Sequence, residues 1–399
     1  MSVDLRSRTR EDVTPVDASA FFGETLPALI EVLPHLPGVG ATELDLRPLA
    51  IEVGGDAWTL RHQDGHVTVQ DGATDAAAVW VLDTDGVTDL VHDVRTPMGF
   101  FTGGDLELRR GRLEDTLDWW VVLRSLLDER PVHATGDVEV PEHRTFVPTD
   151  DDEELARFLH DAGYLHVAGL FTEDEMAAVA ADMDAAAPTY APDDGNSWWA
   201  KTAAGEDRLV RMQRFQQHSA TAAALLADPR LARLGGLTGD GHHLDGALRG
   251  GNVVEALVKP VGIVEGISDV PWHKDCSLGG HSYRCCSLTV GVSVTGADAT
   301  SGQLRVVAGS HRALIQPAFV RRRLDLPTRD LPTATGDVTV HLSCTLHMSQ
   351  PPIDRERRVL YTSLRLPDPD GNAGVGGALL GRIREGAHRT VSQQPGHLG

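Results

Sequence analysis

The segment "PWHKDCSLGG" places His273 and Asp275 two residues apart. At that spacing an imidazole and a carboxylate can be two ligands of one metal, because alternate side chains of a strand emerge on one face. They can equally be two unrelated polar groups at a strand end, and a chain with 18 histidines holds such pairs by chance. His347, at the end of "GDVTVHLSCTLHMS", offers a third ligand. Two histidines and one carboxylate form the facial triad of non-haem Fe(II) oxygenases, which leaves positions open for a cosubstrate and O2. Ser349 and Arg358 follow His347 by two and eleven residues in "LHMSQPPIDRERRVLYTS". If the Pro351-Pro352 turn brings Arg358 back beside the metal, its guanidinium and the serine hydroxyl suit the distal carboxylate of 2-oxoglutarate. Taken singly, Arg358 reads as a surface strand cation and Ser349 as a turn hydroxyl.

The elements that must position these residues are short β-type runs broken by glycine: "NVVEALVKP", "SLTVGVSVTG", "QLRVVAG", "DVTVHLS" and "RVLYTSLRL". Their spacing predicts an antiparallel sandwich or barrel. Ahead of them, "DDEELARFLHDAG" predicts an acid-capped helix ending at Gly163, followed by a short strand. Thr172 and Glu175 stand in capping-box spacing before an alanine-rich helix.

A different segment precedes residue 130. "AWTLRHQDGHVTVQDG" alternates around Asp64-Gly65 and predicts a hairpin, and "AAAVWVLDT" a third strand. "DGVTDLVHDV" predicts a short amphipathic helix. "GDLELRRGRLEDTLDWWVVLRSLLDE" predicts a strand and then a helix packing Leu117, Trp120, Leu123 and Leu127. The expected organisation is a small α+β domain over 15–128, a proline-containing linker over 129–150, an all-β domain with flanking helices over 151–370, and a frayed glycine-rich tail over 371–399.

A chain of 399 residues with 41% hydrophobic and 24% charged residues is globular and long enough for two cores. A formal charge of −22 repels phosphate backbones and anionic lipid, which argues against nucleic acid as a partner. The N-terminus lacks the apolar stretch of a secretory signal and no window reaches the length of a membrane span, so a cytoplasmic protein is expected. The four cysteines, Cys276, Cys285, Cys286 and Cys344, form no CxxC pair and read as reduced core thiols rather than a zinc or disulfide framework. His281 and His311 lie near the site in sequence and are alternative ligands, but "AGSHR" reads as a turn; Arg321, Arg322 and Arg323 read as a solvated face.

Five features in order, "GYLHVAGLFTEDEM", "LVKP", "SGQLRVVAGSHR", "TGDVTVHL" and "LHMS" with its paired arginine, resemble the phytanoyl-CoA dioxygenase family over about residues 152–367. The resemblance implies a double-stranded β-helix (a jelly-roll or cupin-like core). In it His273, Asp275 and His347 would hold Fe(II), and Arg358 and Ser349 would grip 2-oxoglutarate. Two positions depart from that pattern. Lys274 stands where glutamine is frequent and is expected to point outward. Gly291 replaces a frequent tryptophan, which would remove a wall of the cosubstrate pocket or widen the substrate side. The retained Asp275 argues against halogenation. Trp198, Trp199 and "RLVRMQRF" fall where that family places substrate-shaping segments.

The first 130 residues resemble the sterol-carrier-protein type 2 fold through the tryptophan hairpin, its "DG" turn and "GDLELRRG". That implies either an apolar tunnel for a lipid or acyl chain, or a scaffold that has lost it. The function expected is an Fe(II)- and 2-oxoglutarate-dependent dioxygenase that hydroxylates an unactivated C–H bond of a small apolar or acyl-type metabolite. The alternatives are a lipid carrier with a silent oxygenase fold and a metal-dependent isomerase or hydrolase on the same barrel.

Overall fold

The structure, a computed structural model, describes residues 4–366 except 7, 37–41, 43, 133–138, 193, 245, 247–250, 267, 269–271, 277–284, 286 and 316–325. His281, Cys286, the three arginines at 321–323 and the tail lie outside the described residues. The chain forms two compact units, one built on residues up to Val138 and the other on most of the remainder.

In the first unit, strands β1 (Leu49–Val53), β2 (Asp56–Gln63), β3 (His66–Asp71), β4 (Ala78–Leu82) and β5 (Glu107–Arg110) form one sheet in the order β3-β2-β1-β4-β5. Asp64 and Gly65 both take positive φ, 53° and 82°, the backbone that a two-residue hairpin turn requires. The helix Leu113–Leu127 is buried at every position from Trp119 to Leu126, more completely than a single apolar stripe implies. Within it Arg124 is 2% exposed, pairs with Asp128 at 2.7 Å, and donates to the carbonyls of Leu90 and Val91. These carbonyls lie at the end of the helix Thr84–Val91, where Leu90 O also accepts from the backbone N–H of Asp93 at 3.1 Å. A cavity lined by Phe21, Phe22, Ile51, Leu90, Trp120 and Leu123 measures about 10 Å³. That is room for a single water.

In the second unit the helix Asp152–Ala162 ends at Gly163, φ 82°, and the Thr172–Glu175 box caps the helix Glu173–Ala186 with both reciprocal hydrogen bonds. Strands β6 (Tyr164–Val167), β7 (Ser197–Thr202), β8 (Asp207–Met212), β9 (His243–Leu244), β10 (Glu255–Lys259), β11 (Ile263–Glu265), β12 (Ser287–Ser293), β13 (Leu304–Val307), β14 (Thr328–Leu331), β15 (Val338–Leu342), β16 (His347–Ser349) and β17 (Arg357–Arg365) follow. Nine of them form a sheet in the order β11-β7-β8-β10-β17-β12-β15-β6, with β9 beside β17. A second sheet is β14-β13-β16. The tryptophan pair and "RLVRMQRF" therefore include a hairpin of the large sheet, β7 with β8, whose register shifts between Trp198 and Trp199.

The pleat divides the large sheet into two faces. Leu288, Val290 and Val292 of β12, Val338 and Val340 of β15, and Leu360 and Leu364 of β17 enter one apolar cluster with Leu155, Phe158, Met176 and Val179 of the two helices. The alternate residues of β12, β15 and β17 share the opposite face: Thr289 with His341 and Ser363, and Gly291 with Thr339 and Tyr361. Among the described residues no helix is long and apolar enough to cross a membrane.

β6 is tied to the start of β15 by a buried pair, His166 Nε2 to Asp337 Oδ2 at 2.8 Å. Asp337 also accepts from the backbone N–H of Gly169 and Ala334, each at 2.8 Å. Burial works against this carboxylate. The hydrogen bonds from His166 and the two amides outweigh it and hold the group below its ordinary value. A depressed folded-state value adds stability above the unfolded value of about 3.9, and that stability is lost as pH falls through the folded one. Asp337→Asn is therefore expected to lower unfolding free energy by about 2 kcal/mol at pH 7, with the gap to wild type narrowing below pH ~4. Urea midpoints at the two pH values check this; an equal gap at both would refute it.

Candidate metal and cosubstrate site

The site begins with a backbone pairing. His273 N–H donates to His347 O and His347 N–H donates to His273 O, each at 3.0 Å. A reciprocal antiparallel pair projects both side chains to one side, and the two imidazole rings lie 4.2 Å apart. His347 is buried and its Nδ1 lies 2.9 Å from the carbonyl of Thr345. A carbonyl can only accept, so Nδ1 carries the proton and Nε2 is left as the donor nitrogen for a metal. Asp275, two residues beyond His273, completes the group: one ligand atom from each of His273, Asp275 and His347 lies within 4.8 Å of the others. Two neutral nitrogens and one carboxylate oxygen in reach of a common point fit a divalent first-row metal. The sequence-derived triad is thus brought together in space.

A third imidazole belongs to the surroundings. His341 of β15 is 1% exposed and its ring packs 4.2 Å from that of His347. It was missed by sequence reasoning, although its place in "DVTVHL", alternating with the core residues Val338 and Val340, marks it as facing away from the apolar cluster.

The cosubstrate residues need one correction. Arg358 was expected beside the metal, but its side chain lies on the other face of β17, partly exposed. There it donates to Glu356 at 2.9 Å and to Asp184 of the helix Glu173–Ala186 at 2.7 Å. The pleat is the reason: Arg358 shares its parity with the core residues Leu360 and Leu364, whereas Arg357 shares that of Tyr361 and Ser363. Arg357 is 5% exposed and donates to Gly302 O at 2.7 Å, Ser349 Oγ at 3.2 Å and Tyr361 Oη at 3.2 Å. Directly opposite it in the register, Lys259 of β10 donates to Ser349 Oγ and to Gln350 O, both at 2.7 Å. Ser349 is therefore held between two buried cations. Lys259 could have been found from "LVKP", where a lysine follows Leu257 and Val258 at the end of the strand.

Two further expectations change. Lys274 does not point outward: it is 3% exposed and donates to Ala313 O at 3.2 Å. The place beside Gly291 is not open either. A Cβ there would meet Tyr361 Cε1 at 2.9 Å and Thr339 Oγ1 at 3.0 Å, so the Tyr361 ring supplies the wall that glycine leaves out. His311 is in a short turn, as read, its Nε2 2.7 Å from His160 O.

Residues 159–358 match the family described as phytanoyl-CoA dioxygenase. Several solved structures are similar. One is the non-heme alpha ketoglutarate dependent epimerase SnoN from nogalamycin biosynthesis, 22% identical over 53% of this chain and 81% of that one, TM-score 0.41. Another is AviO1 from Streptomyces viridochromogenes, 21% identical over 54% of this chain and 96% of that one, TM-score 0.41. A third is EctD from S. alaskensis, 18% identical over 59% of this chain and 80% of that one, TM-score 0.42. None of the curated proteins matches the chain in sequence.

The two arginines separate the alternatives experimentally. Arg357→Ala is expected to weaken 2-oxoglutarate binding by about 10- to 100-fold, the worth of hydrogen bonds to a charged group, while Arg358→Ala changes it less than about twofold. Isothermal titration on the metal-loaded protein measures both, and the opposite ranking would restore Arg358 as the clamp.

Proposed function

The chain belongs to the phytanoyl-CoA dioxygenase family over half its length, and from that premise we propose that it hydroxylates an unactivated C–H bond of a small apolar or acyl-type metabolite. As a member of that family it is a non-haem Fe(II)- and 2-oxoglutarate-dependent enzyme. His273, Asp275 and His347 are the residues we assign to the iron, on the strength of their mutual reach. Bound there, Fe(II) with 2-oxoglutarate and O2 supplies the oxidising power for hydrogen removal and hydroxylation, with succinate and CO2 as coproducts.

The chain's own residues do the rest. Thr345 O keeps the His347 proton on Nδ1, so that Nε2 stays available. The observation that carries the cosubstrate assignment is Arg357: a buried guanidinium whose hydrogen-bond partners among the described residues are all neutral oxygens. Burying an uncompensated charge costs several kcal/mol (roughly), and a bound carboxylate offsets that cost. Ser349 lies two residues beyond His347 on the same strand face, about 7 Å further on. A five-carbon diacid spans that gap, one end at the triad and the other between Arg357, Lys259 and Ser349. Tyr361 closes the side left open by Gly291 and helps keep water out. The acyl thioester in the family's description motivates acyl-type compounds as the first substrates to try.

The test is succinate formation from 2-oxoglutarate by anaerobically Fe(II)-loaded protein after oxygen is admitted. Wild type is expected to produce succinate above background and His273→Ala to lose it by at least ~100-fold. Succinate formation unaffected by His273→Ala would remove the assignment.

A further inference from the structure

Three of the four cysteines, read from their spacing as unrelated core thiols, come together in the structure. The sulfurs of Cys276, Cys285 and Cys344 all lie within 4.8 Å of one another. Cys344 is buried, whereas Cys276 and Cys285 are partly exposed, so the cluster has a covered side and an approachable one. Spacing could not reveal this, because Cys344 is far along the chain and reaches the others only after β15 has crossed the sheet beside β12.

We propose that these three thiols form a second metal site, for a soft d10 cation of the Zn(II) class, separate from the iron triad. With metal–sulfur bonds of about 2.3 Å, tetrahedral thiolates sit about 3.8 Å apart, so small side-chain rotations convert the observed cluster into a ligand set. Three sulfurs select soft or borderline ions over Fe(II) held by nitrogen and oxygen, which keeps the two sites chemically distinct. The fourth position is left for water. On binding, each thiol gives up its proton to solvent and becomes a thiolate ligand; for Cys285 this replaces the Sγ contact to Ser287 O at 2.9 Å.

The location suggests what such an ion does. Cys276 directly follows Asp275, and Cys344 precedes His347 by three residues. Cys285 stands two residues before the first residue of β12. An ion held by all three ties together the two chain segments that carry iron ligands and anchors both to the sheet. The soft-metal site rests on the sulfur geometry alone; only this positioning consequence depends on the iron assignment.

Cadmium is the probe, because its thiolate complexes give an ultraviolet charge-transfer band that nitrogen and oxygen ligands do not. The full chain, reduced and freed of metal, is titrated with Cd(II) and the band followed. The expected result is saturation at one equivalent per chain, displacement by Zn(II), and at least ~10-fold weaker binding in Cys276→Ser, a change at a partly exposed position. Cys344→Ser is expected to behave alike, with circular dichroism checking its fold. His273→Ala should leave the band unchanged, which separates this site from the iron triad. Absence of the band, persistence of full affinity in Cys276→Ser, loss of the band in His273→Ala, or a disulfide among the three in the purified chain would each overturn the proposal.

Discussion

The two hydrogen bonds exchanged by the backbones of His273 and His347 are the constraint on which the site depends. They fix the orientation of both imidazoles at once, and they do so with main-chain groups that no side-chain substitution removes. From that pairing the rest follows by strand geometry. β16 runs beside β13, with His347 opposite Val306 and Ser349 opposite Leu304, so the serine hydroxyl stays on the histidine's face. The reciprocal pair also brings the segment bearing Asp275 to His347, which is how residues far apart in the chain become one ligand group.

The same two-residue period separates stability from chemistry in the large sheet. One face of β12, β15 and β17 is aliphatic and joins the helices in a common core. The other holds His341, Thr289, Thr339, Tyr361 and Arg357. Magnitudes decide between the two arginines. Arg358, partly exposed and bonded to two carboxylates, contributes about 0–1 kcal/mol, as surface ion pairs do. Arg357, buried among neutral oxygens beside Lys259, sits at a desolvation cost of several kcal/mol (roughly) that the carboxylate proposed to bind there would offset.

Much of this was legible in the sequence wherever a local signal carried it. Asp64-Gly65 specified a turn, Gly163 and the Thr172–Glu175 box specified helix ends, and the histidine–aspartate pair with a distal histidine named three residues that the fold brings together. What was not legible depended on parity or on distant contacts. Two adjacent arginines differ only in which side of the pleat each faces, and an eleven-residue count chose the one outside. Parity with Leu360 and Leu364 would have chosen Arg357. Gly291 read as an opening because the tyrosine that covers it lies on another strand. Lys274 was expected to point outward; its buried partner, Ala313 O, is distant in sequence and no local signal names it. The cysteine cluster is a long-range fact of the same kind, invisible to any spacing rule.

The most direct test of the central claim is spectroscopic and precedes any substrate. Under strict exclusion of oxygen, Fe(II) and then 2-oxoglutarate are added to the full chain while the visible metal-to-ligand absorption of the chelated keto acid is followed. The expected result is a band that saturates at one iron and one 2-oxoglutarate per chain and vanishes in His347→Ala. Iron that binds without producing the band, or a band indifferent to His347, would contradict it.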